Sequence, residues 1–142
     1  MSRIKLELPE TFSFHAVLPI RITDVNYGGH VGNDTILTLL HEARMQFLHS
    51  HSFSEMDFGG TSLIMRDVVI EFKKEVFYGD TIKIFVTTEN FTNVGFDVYY
   101  RIEKKEDDII VAMARTGMVC YNYQQKKITK VPEIALSKLT SR

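Results

Sequence analysis

The sequence predicts an α+β protein in which one antiparallel sheet of about five strands wraps a single long helix. Three observations carry that prediction. An apolar stripe with helical spacing runs from Ile36 to Phe47. Beyond residue 60 the apolar residues alternate with period two instead, in runs separated by short turns. Short turns favour antiparallel neighbours, and one such sheet against one helix is a two-layer architecture. The 142 residues are expected to form one domain over 1–142. A domain of that size buries roughly 70% of its unfolded surface.

Residues 1–11 form an entry arm, with Pro9 marking a break. Phe12, Phe14, Ala16, Leu18, Ile20 and Ile22 then alternate with smaller or more polar residues, as a strand does. Pro19 lies inside this run and has no N–H for a ladder, so the strand belongs at a sheet edge or carries a bulge. A glycine-rich turn fills 24–32. Asn33 or Asp34 is the expected helix N-cap, because either side chain can accept from the first-turn N–H groups. Ile36, Leu40, Ala43 and Phe47 share one stripe, and Leu37, Leu39, Met45 and Leu48 widen it. A helix apolar over so much of its circumference is expected to be buried. It ends near residues 49–52.

After a loop at 54–60, Ile64, Val68, Ile70 and Phe72 are expected on one face of a long strand, with Asp67, Glu71 and Lys73 on the other. Tyr78-Gly79-Asp80 signals a turn, and Ile82, Ile84 and Val86 start the next strand. Asn93-Val94-Gly95 turns again before Phe96, Val98, Tyr100 and Ile102. A charged hairpin at 104–108 leads to a strand over 109–121, a polar turn fills 124–127, and Pro132 opens a short closing helix. Such a sheet leaves two open edges and cannot cover all of so apolar a helix. Pairing with a copy of itself, as a homodimer or homotetramer, is therefore expected.

A content of 44% hydrophobic and 25% charged residues is ordinary for a globular domain. The net charge of −1 gives no field for nucleic acid or an anionic membrane surface. Cys120 is the sole cysteine, which excludes an internal disulfide and suits a reducing cytoplasm. No apolar run nears the ~20 residues of a membrane span, and the N-terminus lacks a signal-peptide shape. The expected location is the cytoplasm. His49-x-His51 and the loop acids match no zinc spacing, and no Gly-x-Gly-x-x-Gly or Walker loop is present, so neither a metal nor a nucleotide cofactor is expected.

The groups able to do chemistry gather between Arg21 and Arg44. Asp24, Asn26, His30 and Glu42 lie along one glycine-rich turn and the helix it opens. The glycines allow close backbone approach, and the helix start aims free N–H groups at a ligand.

These residues carry a resemblance. Asp24, Gly29-His30-Val31, Asn33, Glu42-Ala43-Arg44 and Tyr78-Gly79-Asp80, in that order, resemble the hotdog-fold acyl-CoA thioesterases. The branch is that of 4-hydroxybenzoyl-CoA thioesterase and the bacterial long-chain acyl-CoA thioesterases. Plant acyl-carrier-protein thioesterases share the Asp-x-Asx then His-Val-x-Asn arrangement. The resemblance runs from about Phe12 to Pro132. It implies a fatty or aromatic acyl thioester of coenzyme A or acyl carrier protein, bound at a dimer interface and hydrolysed to the free acid. No cofactor is implied, coenzyme A entering as part of the substrate.

The resemblance also assigns roles. The backbone N–H groups of Gly32 and Asn33 would polarise the thioester carbonyl, as preorganised donors do. Tyr27, Gly28, Gly29 and Val31 would touch the substrate, and Asp24, Asn26, His30 and Glu42 are the candidate catalytic residues. One departure matters. This branch carries its catalytic Asp two residues after the first loop Asp, where this chain has Asn26. A neutral amide has no basic lone pair at physiological pH, so Asp24, His30 or Glu42 has to supply the base. A non-catalytic acyl-CoA-binding module and a dehydratase of the same fold are the rival readings.

Each candidate also has a structural reading. Asp24 suits a turn that bonds its own backbone, and Asn26 suits a left-handed turn position. His30 has a ring that can donate or accept a proton. Glu42 lies in a helix expected to be buried, where a carboxylate is costly unless paired. It is either a base with raised pKa or the ion partner of Arg66 or of Arg44 of the partner subunit. His41, His49 and His51 read as surface or loop histidines. Lys73-Lys74 reads as a solvated strand end rather than a phosphate site.

Overall fold

The computed structural model describes residues 4–141. The first three residues of the expected entry arm lie outside the described residues, and residues 4–13 carry no helix or strand. The elements run β1 (Phe14–Pro19), α1 (Asn33–Ser50), β2 (Ser62–Phe72), β3 (Thr81–Glu89), β4 (Gly95–Lys104), β5 (Ile110–Asn122), β6 (Lys127–Ile128) and α2 (Glu133–Thr140). All strands join one antiparallel sheet of order β1-β3-β4-β5-β2. The sixth strand, β6, is a two-residue addition to the end of β5.

Pro19 closes β1, which is an edge strand as its missing N–H requires. Within β1 the predicted alternation holds, since Phe14, Ala16 and Leu18 turn inward while His15 and Val17 stay exposed. The strand is shorter than expected: Phe12 and Ile20 lie outside it, and Ile22 is exposed in a 3-10 turn. The predicted stripe of α1 is buried throughout: Ile36, Leu40, Ala43 and Phe47 all lie in the core. They meet Ile82, Ile84 and Val86 of β3 and Tyr100 and Ile102 of β4 in one apolar cluster. Phe14 and Phe47 touch edge to face at 5.8 Å. Burying each Leu, Ile or Phe side chain contributes about 1.5–3 kcal/mol, so this face fixes the helix on the sheet. At the far end of α1, α2 closes the core with Ala135 and Leu139, and Lys138 Nζ donates to His51 O at 3.2 Å.

Three further expectations need correction. The N-cap of α1 is Gly32, and no side chain caps the helix. Asn33 and Asp34 already have helical positions, so the helix starts one or two residues earlier than expected. The second correction concerns the faces of β2. A bulge at Arg66 shifts the register between Met65 and Asp67. Because side chains alternate with period two, one extra residue reverses the faces beyond it. Ile64 pairs with Val119 while Val68 pairs with Thr116, so these two residues face opposite sides. The inward set on β2 is Leu63, Met65, Val68, Ile70 and Phe72, matched to Cys120, Met118, Thr116, Ala114 and Ala112.

The third correction concerns the charge buried on α1. Glu42 is exposed and accepts from Gln46 Nε2 one turn on, at 2.8 Å. Arg44 is buried instead, at 5% exposure. Its Nε donates to Glu55 at 3.1 Å and its Nη1 to the Tyr100 hydroxyl at 3.0 Å. That hydroxyl shares a 2.7 Å hydrogen bond with Thr116. Burial alone would lower the Arg44 pKa, but Tyr100 and then Glu55 outweigh it and the pKa is raised. Burial raises the Tyr100 pKa, so the phenol stays neutral and can bridge Arg44 and Thr116.

Candidate active site

The turn before α1 is built from backbone hydrogen bonds that use most of its polar groups. Asn26 N–H donates to His30 O at 2.9 Å, and Gly29 N–H donates to Asn26 O at 3.0 Å. The Asn26 side-chain oxygen accepts from Gly28 N–H at 2.9 Å, which is an Asx turn. Gly29 has φ +80°, a left-handed conformation that favours glycine. At Gly28 a Cβ would lie 3.1 Å from the His30 ring, so a side chain there would push the imidazole aside. The base of the loop is stitched to the segment before the 78–80 turn by Val31 N–H on Val76 O at 2.8 Å. His30 bridges Phe77 in the same way.

That stitching puts His30 beside Asn33 and Ile36 of the first turn of α1 on a groove of about 600 Å³. Val31, Ile36, Val76 and Val111 supply its apolar wall, and Phe72, Phe77 and Ile109 continue it outward. His30 Nδ1 lies 3.2 Å from Val31 O. A carbonyl only accepts, so Nδ1 carries the proton in that contact and neutral His30 keeps its lone pair on Nε2. The N–H groups of Gly32 and Asn33 make no hydrogen bond among the described residues, as expected of a helix start.

The other two predicted catalytic residues lie elsewhere. Asp24 is buried, and its Oδ2 accepts from Arg21 N–H at 2.8 Å, while Oδ1 meets the Arg21 guanidinium at 3.4 Å. It is a turn carboxylate with both oxygens occupied. Asp24 and Glu42 together border a second hollow of about 470 Å³, with Arg21, Thr38, His41 and Met45. Tyr27 is fully exposed, and lies with Asn26 and Val25 beside a shallow depression. The structure thus brings His30, Val31 and Asn33 onto one groove and leaves Asp24 and Glu42 on another.

Among the described residues no group of three His, Cys, Asp or Glu is arranged to hold a metal ion. No described helix is long and apolar enough to cross a membrane.

Several features of the groove and its surroundings escaped the sequence. Lys104 and Phe77 line it but come from different turns, and only the sheet register brings them together. Glu55, the partner of Arg44, also binds His41 Nε2 at 2.6 Å, from a loop whose sequence signals only a turn. Lys73 and Lys74 follow the end of β2 and are exposed, as a solvated strand end is, and they also border the groove.

Residues 20–139 match the thioesterase-like superfamily. The chain belongs to that superfamily. A 1,4-dihydroxy-2-naphthoyl-CoA hydrolase of Rippkaea orientalis is 26% identical over 126 residues, covering 86% of this chain and 91% of that protein. A 1,4-dihydroxy-2-naphthoyl-CoA thioesterase from Synechocystis superposes with a TM-score of 0.83 at 22% identity, covering 90% of this chain and 96% of the other. A Staphylococcus aureus protein solved in complex with CoA has a TM-score of 0.81 at 12% identity, over 94% and 85% of the two chains. The sheet wrapped around α1 is therefore the hotdog fold of the thioesterases, as the turn and helix motifs implied.

The exposure of Glu42 gives a direct test of its role. Glu42→Gln is expected to leave thermal stability within about 0.5 kcal/mol, as a surface substitution does. Turnover of the folded variant is expected to stay at the parent level. A melting curve and a thiol-release assay check both.

Proposed function

We propose that this thioesterase hydrolyses an aromatic acyl-CoA, and that His30 is its general base. One observation carries the reading: Asn33, at the open N–H end of α1, lines the same groove as His30, whose Nδ1–H is tied to Val31 O, and Gly32 adjoins them as the helix N-cap. In this mechanism His30 Nε2 takes a proton from water as the hydroxide oxygen bonds to the thioester carbon. The oxyanion of the tetrahedral intermediate is held by the Gly32 and Asn33 N–H groups, donors that contribute typically several kcal/mol. Collapse breaks the carbon–sulfur bond, and the proton on His30 returns to the departing thiolate. Free acid and coenzyme A leave, and no cofactor is consumed. Asn26 holds the turn that positions His30. The aromatic acyl group is favoured by the naphthoyl-CoA hydrolase among the relatives.

The test is thiol release across a panel of 1,4-dihydroxy-2-naphthoyl-CoA, benzoyl-CoA and straight-chain acyl-CoA thioesters. Many turnovers per subunit on an aromatic thioester support the reading. Asn26 in the usual Asp position favours a second reading, a binding module without turnover. Stoichiometric binding of intact acyl-CoA with no thiol released would establish that reading instead.

The working unit in this proposal is a homodimer joined through β2, in the cytoplasm. The long β2 is an edge strand, and Met65, Val68 and Phe72 on its inward face stay exposed. An unpaired edge with apolar side chains is an adhesive surface that proteins ordinarily cover. Light scattering at micromolar concentration is expected to give twice the chain mass or a multiple of it. Val68→Lys, which puts a charge on that face, is expected to shift the mass towards the monomer. A monomeric parent chain would reject this assembly.

A further inference from the structure

The groove that holds His30 does not end at its apolar wall. Its outer rim carries Lys73, Lys74 and Lys104, contributed by the end of β2 and the end of β4. Their surroundings differ. Lys73 Nζ is held by Glu71 at 2.9 Å, and that carboxylate has its pKa lowered first by this hydrogen bond. Lys104 Nζ is 3.6 Å from Asp80 and 5.6 Å from the Phe77 ring centre, a loose arrangement. Asp80 Oδ2 is in turn occupied by Phe77 N–H at 2.9 Å, so the turn itself satisfies much of that carboxylate. Lys74 has no side-chain partner among the described residues. Glu75, exposed on the same rim, is the remaining acidic group.

The geometry points to Lys74 and Lys104 as the residues that bind the phosphate at the end of the thioester's pantetheine arm. This assignment rests on the proposed thioesterase reading and gives it a direction. The reacting carbonyl lies at the start of α1, the flexible arm follows the wall of Val31, Ile36, Val76 and Val111, and the anionic end meets the lysines. A lysine ammonium is a compact charge on a flexible stem, suited to a phosphate as a point contact rather than a fixed fork. The lining matches the two ends of such an arm: backbone donors and an imidazole for the carbonyl, and the ammonium groups of exposed Lys74 and loosely paired Lys104 for the anion. A phosphate of this kind is carried both by coenzyme A and by an acyl carrier protein.

The experiment compares three thioesters of one acyl group: the acyl-CoA, the acyl-4′-phosphopantetheine and the acyl-pantetheine without phosphate. With Lys74→Ala, KM for the two phosphorylated substrates is expected to rise roughly tenfold, the loss of one charge-assisted contact. kcat is expected to hold, and KM for acyl-pantetheine to stay unchanged. Lys104→Met, which keeps the apolar stem over Phe77, is expected to act in the same direction. Equal effects on all three substrates, or none on any, overturn the assignment. Acyl-carrier protein in a fourth arm separates the two carriers. A rise confined to CoA assigns the lysines to its nucleotide phosphates and overturns the arm-end placement.

Should the parent chain turn over none of these, the catalytic reading fails by itself. The lysines are then tested by calorimetry with coenzyme A and pantetheine. Weaker CoA binding in Lys74→Ala with unchanged pantetheine binding upholds the phosphate site, and unchanged CoA binding rejects it.

Discussion

His30→Ala is expected to lower kcat by roughly two to four orders of magnitude, the usual span for loss of a general base. The variant is expected to fold, because the imidazole is only half-buried and its polar contact among the described residues is with the adjacent carbonyl of Val31. The backbone bridge from His30 to Phe77 does not depend on the side chain. KM is expected to change little, since the wall of the groove and its lysine rim stay in place. His30→Gln is the sharper comparison. It keeps a hydrogen-bonding group of similar reach yet cannot take a proton, so a positioning role would survive it and a base would not. A His30→Gln variant that retains turnover would move the base assignment to a carboxylate.

Glu55→Ala is expected to have the largest effect on stability, about 3–5 kcal/mol, the cost of leaving one half of a buried pair uncompensated. For a domain of this size that corresponds to a melting temperature lower by on the order of 10 °C. The asymmetry of the pair sets the ranking. The Arg44 side chain is 6% exposed and that of Glu55 is 19% exposed. Removing Glu55 therefore strands a buried guanidinium with only the neutral Tyr100 hydroxyl, which Thr116 already shares. Removing Arg44 instead leaves a partly solvated carboxylate that His41 still contacts, so Arg44→Met is expected to cost less. The double variant Arg44→Met/Glu55→Leu is expected to recover most of the loss, because well-packed apolar side chains often replace a buried pair without penalty. Denaturant unfolding of the two single variants and the double variant closes the cycle. Additive losses would show that the two residues do not act as a pair.

The sequence by itself determined whatever depends on neighbours a few residues apart. The stripe at Ile36, Leu40, Ala43 and Phe47 is a property of helical pitch, and it is buried as its spacing requires. Phe14, Ala16 and Leu18 turn inward because a strand alternates, and Pro19 holds β1 at an edge because it lacks a donor. The turns at 78–80 and 93–95 follow from residues that favour tight reversals. Motifs in the turn before α1 were legible for the same reason, and with them the thioesterase family.

Tertiary structure decided what depends on register and on distant partners. The bulge at Arg66 leaves no local signal, yet it reversed the inward face of β2 beyond Met65. Apolar neighbours suggested that Glu42 was buried, but α1 covers the sheet with one face only, and the charge taken into the core was that of Arg44. Its partner, Glu55, lies beyond the end of the helix, where no periodicity reaches. Asp24 and His30 are close in sequence but open onto different hollows, because one turn separates the edge of β1 from the start of α1. Lys74 and Lys104 are far apart in sequence and share one groove because antiparallel pairing from β2 through β5 to β4 returns the chain to the same end of the sheet.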